Sequence, residues 1–367
     1  MLVSTSADQQ LRTEVASGRR PTPEYLRLES QHGVQLLDWS QLGVRSGHRS
    51  VARSLRHVLA SLRRVRRADV VFSDGEHLGI PLAIAMRLLR IDTAHVMIGH
   101  NLSTPMKCRI MRHTSLGPRD QILIHSTNQL RRIVQETGLA SERFSIVPYG
   151  IDTTFWSPGA EGNESEGLVV SAGREHRDYR TLVEALPLGA SAIIADHSPY
   201  TPEATRRDPE EWPSTVERVA LDPIGLRDLY RKASVVVVPL VDSSMPAGIT
   251  TLLEAMSAGK AVVVTETTEL AGVVQHGHSG LTVAPGDVGG MGEAIRTLLA
   301  EPSTRRTLGA GARHVAVSRY DVNLYAEALA RHLADAASGC GTTPSGSAVF
   351  NGRGGSNGPA GSNGPAG

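Results

Sequence analysis

The chain is poor in cysteine, in aromatic rings and in lysine. Only Cys108 and Cys340 occur in 367 residues, and Cys340 falls in a glycine-rich tail, which argues against a disulfide framework or a cysteine-built metal site. Aromatic residues make up 4%, too few to interleave with basic residues as a nucleic-acid surface requires, so no nucleic-acid partner is expected. No stretch approaches a membrane span, and the start "MLVSTS" lacks the long apolar run of a signal peptide. A cytoplasmic location is the resulting expectation. No Asp-x-Asp appears, nor any His/Asp/Glu cluster at metal-ligand spacing, so neither a metal nor a cofactor is expected.

What is present is unevenly distributed. Hydrophobic residues are 40% of a length that allows two domains, each able to bury its own core. Residues 1–150 hold 21 Lys+Arg against 12 Asp+Glu, a balance of +9, and the remainder holds 17 against 25, or −8. The basic excess concentrates in residues 44–67, "VRSGHRSVARSLRHVLASLRRVRR", with eight arginines and no acid. Three readings stand side by side: a surface helix, a patch for an anionic membrane surface giving peripheral contact, and a patch for an anionic soluble partner. The first is preferred. Arginine is the general basic residue of a chain with three lysines, and Val51, Leu55, Val58, Leu59 and Leu62 share a helical face suited to packing on a sheet.

Short apolar runs alternate with helical patterns along the chain, the signature of α/β architecture with parallel sheets. Strands are expected at 1–4, 34–38, 69–73, 94–98, 121–125 and 144–148. The stretch 153–167, "TTFWSPGAEGNESEG", breaks both periodicities and reads as a linker. Strands resume at 168–172, 191–195, 216–221, 234–239, 261–265 and 280–284, and helical patterns at 303–318 and 322–337 close the second unit. The domains are thus expected at 1–152 and 168–338. Residues 339–367 are rich in Gly, Ser and Pro and are expected to be disordered.

One stretch of the second unit, "PAGITTLLEAMSAGKAVVVT" at 246–265, carries a chemical question. Ile249, Leu252, Leu253 and Met256 recur at helical spacing, Gly259 is a stop and a buried strand follows. A helix starting at Gly248 would present unpaired N–H groups of Ile249, Thr250 and Thr251 at the ligand edge of a parallel sheet, where they favour an anion. Glu254 lies about one turn further in, too far along to be a cap. It either accepts hydrogen bonds from a hydroxyl-bearing ligand beside the anion or faces solvent.

Four segments, "FSIVPYGIDTTFW" at 144–156, "SAGREHRDYRTLVEAL" at 171–186, "LRDLYRKASVVVVPL" at 226–240, and the stretch just described with its continuation "GHSGLTVAPGD" at 277–287, resemble the GT-B glycosyltransferases of the retaining family 4 type. The resemblance extends across 120–335 and is thin upstream. It implies two Rossmann-like domains facing across a cleft, an acceptor-side first domain, and a second domain holding a nucleotide sugar as co-substrate. The family's pattern implies a diphosphate role for Arg174 and, at a shorter spacing than usual, for Arg177. Without a divalent ion, protein cations and N–H dipoles must steady the leaving diphosphate.

In these enzymes two glutamates flank seven residues, and Glu254 matches the second, usually held to contact the ribose. The first has no counterpart: Pro246 stands there, and Gly248 comes one residue early, so either Asp242 or backbone N–H groups take over the sugar contact, or donor choice and activity differ from the family norm. The resemblance also places His100 near the transferred sugar. Asp74 and Glu76 are acceptor-side candidates or turn residues. The implied activity is metal-independent transfer of a sugar, with retention, to a hydroxyl of a small-molecule or glycan acceptor, with His100, Arg174 and Glu254 as catalytic candidates. An epimerase of the same fold and a non-catalytic nucleotide-sugar-binding protein are the alternatives.

Overall fold

A computed structural model describes residues 1–39, 41, 51–102, 104–113, 117, 119–160, 162, 164–196, 207–243 and 245–339. The first part of the basic segment, 42–50, and the glycine-rich tail from 340 onward lie outside the described residues.

The first sheet consists of β1 (Val70–Ser73), β2 (Ala94–Ile98), β3 (Asp120–Ile124) and β4 (Phe144–Ile146), paired in that order and all parallel. The strands expected at 1–4 and 34–38 are reduced to single parallel bridges, Leu2 to Ser73 and Leu2 to Leu37, which extend the sheet beyond β1. Helices α1 (Gln9–Ala16), α2 (Glu24–His32), α3 (Val51–Val65), α4 (Glu76–Leu88), α5 (Pro105–His113) and α6 (Thr127–Thr137) accompany this sheet.

The second sheet is also parallel, with order β10-β9-β8-β5-β6-β7. Its strands are β5 (Leu168–Ala172), β6 (Ser191–Ala195), β7 (Val216–Val219), β8 (Val235–Val238), β9 (Val262–Thr265) and β10 (Leu281–Val283), and its helices α7 (Tyr179–Ala185), α8 (Pro223–Lys232), α9 (Ile249–Ser257), α10 (Val288–Ala300) and α11 (Pro302–Arg319). The unbroken valines of β8 are fully buried, as a central parallel strand covered on both faces requires. The strand order reverses between β5 and β8, which makes the crevice beyond their carboxyl ends the expected ligand site.

The final helix, α12 (Val322–Ser338), departs from expectation. Its sequence pattern was expected to close the second unit, but Tyr325, Ala326, Leu329 and Leu333 join Val3, Leu28 and Val96 in the core of the first. An amphipathic pattern specifies an apolar face without naming the sheet that covers it. The crossing is fixed by the pairing of Ile151 with the segment before α12: Ile151 N–H donates to Tyr320 O at 2.7 Å, and Val322 N–H to Ile151 O at 2.9 Å. Gly150 is required there, because a Cβ would stand 2.5 Å from the Tyr325 ring.

The second departure concerns α3. Val58 is buried as expected, but Leu55 and Leu59 are 45% and 63% exposed, so they are not core contacts. The buried stripe is Ser54, His57, Val58, Ser61 and Val65, rotated from the one the leucines suggest. His57 sets that rotation: its Nε2 pairs with Leu37 O at 3.1 Å and its ring packs edge-on to Trp39 with centroids 4.4 Å apart. The arginines at 63, 64, 66 and 67 stand just before β1, at the edge where strands begin. The cleft lies at the opposite edge, so these charges do not surround an arriving acceptor.

Candidate functional site

The loop after β5 and the approach to α9 meet at the reversal of strand order. Gly173 turns the chain at φ 97°, and the Arg177 guanidinium lies against its Cα where a Cβ would otherwise be. Asp178 N–H donates to Pro239 O at 3.1 Å and Val241 N–H to His176 O at 3.0 Å, lacing the two loops together.

Arg177 was expected among the phosphate ligands; it is instead enclosed. It is 3% exposed, and its guanidinium donates to Ala172 O at 2.8 Å, Glu175 O at 2.8 Å and the Thr251 hydroxyl at 2.9 Å. Burial holds its pKa below the usual arginine value. The short spacing that set this loop apart in the sequence places the second basic group beneath the turn. Arg174, on the same turn, is only partly buried.

Helix α9 begins at Gly248, its N-cap, at φ 82°, where a Cβ would crowd Leu240. The Ile249 side chain is in the core and its N–H is directed to Pro246 O at 3.3 Å. Thr250 and Thr251 supply the next N–H groups, which by position have no acceptor within the helix. Thr250 is exposed, whereas the Thr251 hydroxyl is bound by Arg177. Asp242, the candidate substitute for the absent first acid, is exposed and caps Ser243 N–H at 3.1 Å.

Glu254 is half-buried. Burial, partly offset by a 3.1 Å hydrogen bond from the Tyr230 hydroxyl and by Arg177, pushes its pKa up to about 8. With Thr250 and Trp156 it forms one wall of a cavity of about 530 Å³ between the domains; the other wall includes Thr5, Ser6, Glu24 and Tyr25. Asp152 ties the walls together, accepting from Thr22 N–H at 2.7 Å while capping Phe155 N–H at 3.0 Å.

On the first domain, His100 follows β2, is exposed, and pairs through Nε2 with Asp74 O at 3.0 Å. Its ring stacks on His125, with centroids 5.5 Å apart, and His125 on Tyr149 at 3.9 Å. Burial drives the His125 pKa down to about 3, so this platform is neutral. Asp74 accepts from Ser4 N–H at 2.6 Å, and burial raises its pKa. Glu76 instead serves the loop: it accepts from Lys107 Nζ at 2.7 Å and His100 N–H at 3.0 Å, and although burial opposes ionisation, the lysine keeps its pKa low.

The structure thus brings Asp74 and His100 together and assigns Glu76 to holding them. Sequence reasoning missed Glu24, whose pKa is raised by burial and by the nearby Asp74. Its one signal was the paired prolines that set up a helix start in "PTPEY". Tyr230 was missed because it sits in an ordinary helical pattern, and Trp156 because its stretch reads as a linker. Among the described residues no group of three or more His, Cys, Asp or Glu side chains could hold a metal ion.

Residues 181–301 match the family described as Glycosyl transferases group 1. The fold is GT-B, and the matched residues lie within the second domain. The chain is 24% identical over 297 residues to alpha-maltose-1-phosphate synthase of Mycolicibacterium smegmatis, covering 69% of this chain and 75% of that protein. It is 25% identical over 262 residues to D-inositol 3-phosphate glycosyltransferase 1 of Catenulispora acidiphila, covering 64% of this chain and 62% of that protein. Among solved structures, Anabaena HepE in complex with UDP superposes with a TM-score of 0.65 at 18% identity, covering 91% of this chain and 92% of that one.

Proposed function

We propose that the protein transfers a sugar from a nucleotide diphosphate sugar to a hydroxyl of a small-molecule or glycan acceptor, with retention and without a divalent metal. The observation that carries this reading is that Thr250 and Glu254 of α9, the helix that starts at the reversal of strand order, wall a cavity whose other side is the first domain, while the turn carrying Arg174 is laced to the start of that helix. Arg174 and the N–H groups of Thr250 and Thr251 hold the diphosphate, and Glu254 binds a ribose hydroxyl. The bond from the anomeric carbon to the phosphate oxygen breaks as the acceptor oxygen bonds to the same face. The acceptor proton passes to the leaving phosphate, so no protein nucleophile is needed. His100, backed by the neutral His125 platform, donates or accepts a hydrogen bond at a sugar hydroxyl, and Asp74 with Glu24 meets the acceptor.

The names of the curated relatives, a maltose-1-phosphate synthase and an inositol 3-phosphate glycosyltransferase, support sugar transfer, and HepE bound to UDP and to UDP-glucose supports the donor class. The reaction is assigned to the cytoplasm. Pro246 at the position of the family's first glutamate favours a second reading, epimerisation or binding without turnover. Incubation with nucleotide sugars labelled in the sugar separates these outcomes: label transferred to the acceptor supports the proposal, whereas an epimerised or unchanged nucleotide sugar refutes it.

A further inference from the structure

We infer that the outward face of α3, together with the exposed end of α4, is a docking surface for an anionic lipid bilayer. Leu55 and Leu59 lie one turn apart on α3 and are 45% and 63% exposed. Helix α4 packs against α3 and ends in Leu88 and Leu89, which are 77% and 45% exposed. These are four exposed large aliphatic side chains on two helices that pack together. Arginines surround them: Arg56, Arg63, Arg64, Arg66 and Arg67 are exposed, and none has an ion-pair partner among the described residues. Arg87 and Arg90 flank the α4 leucines. Helix α3 itself carries no acid; the opposing charges are Asp69 and Asp92, which with Arg66, Arg90 and Arg119 line a depression of about 550 Å³ at the strand-start edge.

The chemistry of this face selects the partner. Leucines that enter the headgroup region leave water, while arginine stems cover apolar surface and place their guanidinium groups among lipid phosphates. A nucleic acid would neutralise the arginines but leave the leucines exposed, and no aromatic side chain stands among them for base stacking. The strand-start edge is opposite Asp74 and His100, so docking there leaves the cleft open. The inference does not depend on the proposed reaction, because lipid binding is measured without turnover.

The test is co-sedimentation of the full chain with phosphatidylglycerol/phosphatidylcholine vesicles and with phosphatidylcholine vesicles alone, at low and high salt. Binding is expected to the anionic vesicles, to weaken with salt, and to fall by more than about tenfold in a variant combining Arg63→Glu, Arg64→Glu, Arg66→Glu and Arg67→Glu. A second variant, Leu59→Asn with Leu88→Asn, alters only exposed positions and should reduce the binding that persists at high salt. Unchanged melting temperatures show that both variants are folded. The inference is overturned if the parent chain stays in the supernatant with anionic vesicles, or if the charge-reversed variant binds as the parent does. Equal binding to neutral vesicles, tighter retention by duplex nucleic acid, or burial of the leucines in a dimer that excludes vesicles would overturn it equally.

Discussion

The guanidinium of Arg177 donates a 2.9 Å hydrogen bond to the Thr251 hydroxyl, joining the turn after β5 to the first turn of α9. The two arginines of that turn therefore have separable tasks. Arg177→Ala strands the buried Ala172 carbonyl and the Thr251 hydroxyl, and should cost about 3 kcal/mol of stability. Arg174→Ala should change stability by less than about 0.5 kcal/mol but weaken a nucleoside diphosphate by about 1.5 to 3 kcal/mol. Denaturant unfolding and titration calorimetry on both variants check the division. An Arg177→Ala protein as stable as the parent would remove the positioning role.

Glu254 gives a pH signature. Its folded pKa of about 8 lies above the ordinary 4.5, so between these values the folded protein holds a proton that the unfolded chain has released. Stability contributed at this site is therefore greatest below about 4.5 and declines as pH rises toward 8. Glu254→Gln removes the titration: it should match the parent near pH 4.5 and exceed it by up to about 4 kcal/mol near pH 7.5, while binding nucleotide more weakly. A stability difference that does not vary with pH would contradict the buried carboxyl.

The packing of α12 predicts opposite outcomes for two truncations. Ending the chain at Gly339 should leave the melting temperature unchanged, since the residues removed are poor in side chains that can pack. Ending it at Arg319 removes Tyr325, Ala326, Leu329 and Leu333 from the first core and should unfold that domain while the second sheet persists. Circular dichroism and limited proteolysis read both results.

Much of this was legible in the sequence, for identifiable reasons. The valine runs of β8 and β9 fix buried parallel strands, and Gly248 with Glu254, the sixth residue of the following helix, pointed to a ligand edge. The destination of α12 was not legible, since its apolar stripe fits either sheet. Nor was the rotation of α3, which follows from a buried histidine rather than from its leucines. Arg177 looked like a ligand because the family's pattern has a second basic residue after the Gly-Arg pair. Its burial depends on a close approach that only Gly173 permits, and that is a property of two residues together.

The proposed assignment of charge stabilisation to Arg174 and the α9 N-terminus predicts turnover without a divalent metal. Turnover in excess chelator should equal turnover in magnesium, measured as nucleoside diphosphate released. Complete loss in chelator, restored by magnesium or manganese, would contradict it.

The central claim is sugar transfer from a nucleotide diphosphate donor seated on Arg174, α9 and Glu254. Its most direct test is incubation of the parent chain and Arg174→Ala with sugar-labelled nucleotide sugars and a pool of hydroxyl acceptors, with the product anomer read by NMR. The account predicts that the parent moves label to an acceptor, releases nucleoside diphosphate and preserves the donor's anomeric configuration, and that Arg174→Ala loses most of this activity. Inverted product, epimerised donor, or bound donor without transfer would contradict it.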